Sequence, residues 1–340
     1  MDAQFVPILV FGFATSLGLT PVSRQIAFRL GVIDRPKKRN ITQAPTPMMG
    51  GFAIYMAFAL SLFLFSPPQH MVEFGAVITG ATFLAFIGVV DDRYDLGIRV
   101  KLVVMTISAT VVLITGIQIE LFNHPLIDFP LTILWIVAVT NAVNFLDNMD
   151  GLAAGLSTIG AFFFMVIAIS QELSLVSALS AAVLGSAAGF LSYNFKPASS
   201  FMGDMGALPL GFVLAILGIK LEFGSQPLGV TWIIPILVLA LPIFDINLVV
   251  LTRIMEGRSP GEAGKDHTSH RLMSMGFSDR KTLLILYGAC AVFGTMGLLI
   301  GIVPGANAGR LGIFCLSLLL GLFMLMIWIR RKYQLNPTSQ

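Results

Sequence analysis

Apolar runs of roughly 20 residues recur along nearly the whole chain, each closed by a short polar joint. A helix rises 1.5 Å per residue, so a run of about 20 is what a ~30 Å hydrocarbon core demands of a crossing helix. The pattern predicts eleven spans, at 3–21, 48–66, 74–90, 100–117, 130–147, 151–170, 174–192, 207–223, 228–250, 282–302 and 309–329. The predicted fold class is an all-α polytopic integral membrane protein, with residues 1–340 as a single transmembrane domain and no stretch left for a separate soluble one. The first run lacks a basic leader and a small-residue cleavage site, which predicts a retained span rather than a cleaved signal peptide.

Composition agrees. Of 340 residues 56% are hydrophobic and 11% charged, with mean hydropathy +0.87, against about 25% charged in a soluble domain. Cys290 and Cys315 lie inside apolar runs and outside any CxxC pattern, which predicts core thiols rather than a zinc site or a disulfide framework. Nothing in the chain predicts a nucleic-acid partner. The net charge of +3 matters less than its placement. With alternate connections taken as cytoplasmic, every Lys and Arg except Lys220 and Arg310 lies on that side, so the N-terminus is expected outside and the C-terminus inside. Acids orient a membrane protein only weakly, yet 12 of the 18 share the same side. Chemistry on the cytoplasmic face is the expected reason.

The acids fall in clusters at span ends. Asn141, Asn144, Asp147 and Asp150 recur every third residue, each about 60° round a helix from the last. An acid in hydrocarbon costs roughly 2.5 to 3.5 kcal/mol, so this ladder must face a wet cavity, a cation or the aqueous rim, or else form a polar helix end before a turn. Asp91, Asp92 and Asp95 form a DDxxD pattern that suits either Mg²⁺ ligation through oxygen or a solvated loop. Arg99 and Lys101 stand near enough to neutralise these acids or a phosphate. Asn194 to Gly206 brings Asp204 between two glycines at a predicted helix start, where backbone amides also attract phosphate. Phe201 is either an interface anchor or a stacking platform for a base.

Asp245, near the inner end of the ninth span, requires a polar partner, and Pro242 can kink that span. His267 and His270 lie between Lys265 and Arg271, and without accompanying Cys or an HExxH set they favour phosphate over zinc. The basic loop from Asp34 to Asn40 suits an anionic leaflet or a substrate anion, and it runs into a Pro-set turn and the Gly50-Gly51 pair.

Five of these stretches in this order resemble the polyprenyl-phosphate N-acetylhexosamine-1-phosphate transferase family, the glycosyltransferase family 4 group containing WecA, TagO and MraY. They are Pro45 to Gly51, Asp91-Asp92-x-x-Asp95, Asn141-x-x-Asn144-x-x-Asp147-x-x-Asp150-Gly151, Asn194 to Gly206, and His267-x-x-His270-Arg271. The resemblance implies transfer of a sugar 1-phosphate, N-acetylglucosamine 1-phosphate by preference, from a UDP-sugar donor to undecaprenyl phosphate. UMP is released, and the lipid-linked product starts a cell-envelope glycan such as lipopolysaccharide or teichoic acid. It also implies an active-site cleft on the cytoplasmic face of the inner membrane, a Mg²⁺ cofactor with Mn²⁺ as substitute, and a homodimer.

By the same resemblance Asp91 and Asp92 are catalytic, orienting or deprotonating the lipid phosphate, and Asn144 and Asp204 hold the metal. Asp150, Asn194 and Phe201 bind the nucleotide, His267, His270 and Arg271 grip the donor pyrophosphate, and Asp95 and Asp147 support the site. Two positions depart from the family's common pattern: Thr42 and Ser269 stand where many relatives carry His. Asp95, where the MraY branch tends to place Lys, and the eleventh span favour the WecA and TagO branch. The alternatives are a phospho-N-acetylmuramoyl-pentapeptide transferase and, from another class, a secondary transporter. A transporter would gather its ionisable groups near midplane rather than at inner span ends.

Overall fold

The computed structural model describes residues 5–34, 46–221, 231–262, 264–303 and 306–333. Their contacts divide the chain into two compact units, Met1–Glu222 and Phe223–Gln340, where the sequence predicts a single transmembrane domain. The basic loop with Arg35, Lys37, Lys38 and Arg39, and the positions Thr42 and Pro45, lie outside the described residues.

The first unit contains α1 (Phe5–Leu30), a two-residue strand pair β1 (Ile33–Asp34) and β2 (Thr46–Pro47), α2 (Gly50–Phe65), α3 (Met71–Tyr94), α4 (Ile98–Ile114), α5 (Pro125–Phe145), α6 (Leu152–Ser170), α7 (Ser174–Asn194) and α8 (Asp204–Ile219). Helix α8 is apolar on every side and residues 205–219 are all buried, so it forms the core of the unit. Helices α2, α3, α5, α6 and α7 pack against it, and α1 lies along α7 and α2. Seven helices of the described residues are long and apolar enough to cross a membrane, including those at Phe5–Leu30, Leu152–Ser170 and Asp279–Ile302. Gly50–Phe65 and Asp204–Ile219 are apolar but shorter.

The second unit contains α9 (Ile233–Val238), α10 (Ala240–Met255), α11 (Thr268–Ser274), α12 (Asp279–Ile302) and α13 (Ala306–Tyr333). Helix α12 packs on α9 and α13, and α10 and α11 pack on both α12 and α13.

Two elements differ from the sequence-based expectation. The predicted span 228–250 is two helices meeting at Leu239. Pro242 has no N–H to return to Val238, so the hydrogen-bond ladder lapses and a second helix opens with Pro in its first turn. Helix α1 runs nine residues beyond the predicted end at 21, through Arg24 and Arg29, because polarity ends a membrane crossing without ending a helix. It stops before Gly31, whose φ of +70° suits a helix terminus.

Strands β1 and β2 pair antiparallel, Ile33 with Pro47 and Asp34 with Thr46, and so bring the two ends of the first loop together. From there the chain is stitched onto the segment before α8. Phe201 N–H donates to Pro47 O at 2.9 Å, and the Gly50 and Gly51 amides donate to Phe201 O and Met202 O, both at 2.9 Å.

Helices α3 and α8 cross where Gly88 faces the Asp204–Met205 backbone, and a Cβ on Gly88 would fall inside van der Waals distance of Met205 N. Gly88→Ala is expected to destabilise the protein by about 1–3 kcal/mol through overpacking. Gly75→Ala, on the same helix but facing open space, should be neutral or stabilising by up to about 1 kcal/mol. Unfolding in detergent distinguishes them, and equal behaviour would contradict the crossing.

Candidate active site

The acid-bearing ends of α3, α5 and α8 meet at one end of the first unit. Gly203 precedes α8 with φ +68° and ψ 175°, a conformation open essentially to glycine alone. A Cβ there would also collide with the Asp92 carboxylate. That carboxylate reaches from α3 to cap α8: Asp204 N–H donates to Oδ1 at 2.9 Å and Met205 N–H to Oδ2 at 3.4 Å. A helix N-terminus carries unsatisfied donors and partial positive charge, so an acid is favoured at this point.

Capping fixes where the Asp204 side chain goes. Its Oδ1 accepts from Asn144 Nδ2 at 2.7 Å, and its Oδ2 meets Lys101 Nζ at 3.1 Å. The same ammonium lies 3.0 Å from Asp91 Oδ2, while Asp91 Oδ1 takes the Leu96 N–H at 2.8 Å and holds the turn after α3. Asp147, past the end of α5, accepts a hydrogen bond from the Gly203 backbone. Two carboxylates, Asp91 and Asp204, thus share the Lys101 ammonium, and two more, Asp92 and Asp147, stand close to Asp204.

A cavity of about 380 Å³ opens beside them, lined by Asp34, Met48, Asp92, Asn144, Asp147, Asn148, Met149, Asp150, Asn194, Phe201, Gly203 and Asp204. That volume falls within the roughly 300–1,000 Å³ of small-molecule sites. Its far wall is a braced loop. Asp150 Oδ2 takes the Ala198 N–H at 3.1 Å and lies 3.4 Å from Lys196 Nζ. Asn194 is 2% exposed and uses both ends of its amide inside the protein, accepting from Gly151 N–H at 3.0 Å and donating to Ser200 O at 3.0 Å.

Of the sequence-predicted residues, Asp92, Asn144, Asp147, Asp150, Asn194, Phe201 and Asp204 line this cavity. Asp91 stands one layer behind, joined through Lys101. Asp95 is exposed and outside the lining; at φ +52° it closes α3 through its own N–H to Asp91 O. Asn141 turns back to Val137 O within α5. Asp34, Met48, Asn148 and Met149 are additions; Asp34 opens the basic loop and Met48 lies in the Pro45 to Gly51 stretch, while Asn148 and Met149 carried no signal of their own.

His267, His270 and Arg271 belong to the second unit and are described within it. His267 Nδ1 lies 2.7 Å from Asp245 Oδ2, and Thr268 N–H donates to Asp245 Oδ1 at 2.6 Å. Arg271 is fully buried, with its guanidinium on Asp266 O, Met326 O and the Thr252 hydroxyl. It braces α11 against α10 and α13. Asp266 gathers Arg253, Arg258 and Arg330 at 3.0, 2.8 and 2.8 Å. Burial alone would raise its carboxyl, but hydrogen bonds from Arg258 and Arg253 outweigh burial and hold it well below the usual range.

Fold and site together define a helical membrane protein with an acidic, oxygen-rich pocket at one end of a bundle. A sequence model described as glycosyl transferase family 4 matches residues 74–222, which include every acid of that pocket except Asp34. A protein of Bacillus subtilis (strain 168) named "Probable undecaprenyl-phosphate N-acetylglucosaminyl 1-phosphate transferase" is 36% identical over 299 residues, covering 84% of this chain and 83% of that one. A decaprenyl-phosphate N-acetylglucosaminephosphotransferase of Mycobacterium leprae (strain TN) is 30% identical over 305 residues, covering 77% and 75%. An undecaprenyl-phosphate alpha-N-acetylglucosaminyl 1-phosphate transferase of Yersinia pestis is 24% identical over 310 residues, covering 86% and 83%. The chain belongs to glycosyl transferase family 4.

His270 yields a pH prediction. Burial, then the charges of His267 and Lys265, push its ring down to about 4 from the ordinary 6.5. Between those values the unfolded chain holds the proton that the folded chain excludes, so stability from this residue is full above about pH 6.5 and lost as pH falls to about 4. Unfolding in detergent across that range should show the loss, and His270→Gln should flatten its share of the slope. An unaltered slope in the variant would count against the buried neutral ring.

Proposed function

We propose that this chain is a Mg²⁺-dependent transferase that moves N-acetylglucosamine 1-phosphate from UDP-N-acetylglucosamine to undecaprenyl phosphate. An oxygen of the lipid phosphate bonds to the β-phosphorus that carries the sugar, the bond from that phosphorus to the bridging oxygen breaks, and UMP leaves with that oxygen. The product is a pyrophosphate-linked lipid sugar, the starter of an envelope glycan. The observation that carries this reading is Asp204, capped in place at the start of α8 and set between Lys101 and Asn144 on the cavity wall. The names of the relatives at 36% and 30% identity support the transferred group and the class of acceptor.

The donor set fits Mg²⁺. The ionisable and amide side chains on the cavity wall are carboxylates and carboxamides, without thiol or imidazole. Among the described residues no three His, Cys, Asp or Glu side chains form a metal cage. Mg²⁺ usually takes one or two carboxylates and completes its shell with water and substrate phosphate. Asp204 and Asn144 would hold it, with the Asn144 amide turned to present its oxygen, and Mn²⁺ would substitute. When bound, the ion would supply positive charge that offsets the negative charge of the substrate phosphates.

The remaining roles follow from geometry. Both oxygens of Asp92 are taken by the α8 amides, and both oxygens of Asp91 by Leu96 N–H and Lys101. These acids therefore act by position. A phosphate monoester with its second pKa near 6 is mostly dianionic at pH 7 and needs no base to become a nucleophile. Lys101 neutralises charge beside the reacting phosphates, Phe201 stacks the uracil, and Asp150 and Asn194 hold the loop that carries it. His267 and His270 meet the donor pyrophosphate. The distribution of Lys and Arg supports eleven spans with this pocket on the cytoplasmic face of the inner membrane.

The test is UMP release by purified protein supplied with Mg²⁺, undecaprenyl phosphate and a panel of donors including UDP-N-acetylglucosamine and UDP-MurNAc-pentapeptide. Release should require lipid and metal together and prefer UDP-N-acetylglucosamine; release with the muramyl donor alone would overturn the donor assignment. Phe201→Ala should weaken donor binding by roughly 1–3 kcal/mol, about 5- to 150-fold. Unchanged donor affinity would return Phe201 to an interface anchor.

A further inference from the structure

The acids on the cavity wall are engaged unequally. Both oxygens of Asp92 receive α8 amides, and the oxygens of Asp204 meet Asn144 and Lys101. Asp147 accepts from the Gly203 backbone, and Asp150 takes the Ala198 N–H beside Lys196. Asp34 lines the same cavity, yet among the described residues neither of its oxygens has a hydrogen-bond or ion-pair partner. Its backbone is nevertheless fixed. Asp34 pairs with Thr46 across β1 and β2, and Pro47, the next residue along β2, accepts the Phe201 N–H at 2.9 Å. A carboxylate carried on a braced backbone, with both oxygens open to a small-molecule cavity, is an acceptor that a ligand can complete.

The chemistry of a carboxylate narrows the ligand. An ionised carboxylate accepts hydrogen bonds and donates none. Phosphate oxygens offer it no hydrogen and repel its charge. The pairing edge of uracil offers a single N–H between two carbonyl oxygens, and one of these would face the carboxylate oxygen that the N–H leaves over. A ribose offers two neighbouring hydroxyls on one face of its ring, a donor for each oxygen, and an acid takes the ribose 2′-hydroxyl in dinucleotide-binding folds. A hexose also carries neighbouring hydroxyls, but in the proposed donor it lies beyond two phosphates. The ribose is bonded directly to the base that Phe201 would stack, and Phe201 is hydrogen-bonded to the strand paired with Asp34.

We infer, on the reading that this cavity binds a UDP-sugar, that Asp34 is a specificity-determining residue whose two carboxylate oxygens accept the 2′- and 3′-hydroxyls of the donor's ribose. The acids of the pocket then divide their work: Asp204 serves the phosphates through a cation, and Asp34 serves a neutral diol directly. The site therefore distinguishes ribonucleotides from their deoxy counterparts.

The experiment is calorimetric titration of UMP and of 2′,3′-dideoxy-UMP into the full-length protein in detergent, at one fixed Mg²⁺ concentration. UMP is the released product of the proposed transfer and carries the same ribose. The wild type should bind UMP at least about 10-fold more tightly than the dideoxy nucleotide, as hydrogen bonds to a charged acceptor provide. Asp34→Ala should lower UMP affinity by the same factor and leave the dideoxy affinity as it was, so that the two nucleotides bind alike. Asp34→Asn keeps one acceptor oxygen and should fall between.

A wild type indifferent to the hydroxyls, or a hydroxyl preference kept in Asp34→Ala, would overturn the inference while UMP binding still upheld a nucleotide site. Equal loss of both nucleotides in Asp34→Ala and in Asp34→Asn would make Asp34 a structural residue or a ligand of the metal, and would overturn it too. A wild type that binds neither nucleotide would overturn the UDP-donor reading and the inference with it.

Discussion

The placement of one carboxylate, Asp204, organises the first unit. Its helix is the most buried of the bundle, and the start of that helix is fixed by an acid from α3, a glycine in a conformation other residues avoid, and two amides from the N-terminus of α2 clasping the preceding carbonyls. Lys101 then holds Asp204 beside Asp91. Because both carboxylates touch the same Nζ, at 3.0 and 3.1 Å, their contacting oxygens lie at most about 6 Å apart. At an effective dielectric near 20 their repulsion without the ammonium would be roughly 3 kcal/mol. Such repulsion is a large fraction of the ~5–15 kcal/mol that separates folded from unfolded proteins. Asp92 and Asp147 bring two more carboxyl groups close to Asp204.

An acidic pocket is an unfavourable host for two phosphorylated substrates unless positive charge enters with them. This constraint links the fold to the proposed chemistry. In the proposed reaction the acids would hold a hard cation that admits phosphate oxygens, and the bracing of Asp91, Asp92 and Asn194 by backbone amides keeps the pocket from relaxing around its own repulsion. Within the second unit the balance is reversed, since Asp266 and Glu256 are outnumbered by Arg253, Arg258, Arg271 and Arg330.

Much of this was legible in the chain. Apolar run length located the helices to within a few residues in most cases, because membrane thickness sets that length directly. The ladder spacing and the DDxxD pattern pointed to Asp92, Asn144, Asp147 and Asp150 on the cavity wall, while Asp95 of the same pattern lies outside it. What sequence could not supply was partnership. Asp92 caps a helix 112 positions away, and local spacing carries no trace of that. Arg271 reads as a phosphate ligand among basic neighbours, yet its three acceptors come from α10, α13 and the turn before α11. Asp245 plainly needed a partner, but nothing in the sequence chose His267. The division at Leu239 was hidden because an apolar run continues unbroken across Pro242.

The most direct test of the central claim is Mn²⁺ binding, followed by electron paramagnetic resonance on purified protein in the presence of UDP-N-acetylglucosamine, comparing the wild type with Asp204→Asn at matched unfolding temperature. Saturable binding in the wild type, weakened by at least about 10-fold in the variant, is the predicted result. Equal affinity in the two proteins would contradict the role given to Asp204 and with it the account of why the bundle ends as it does.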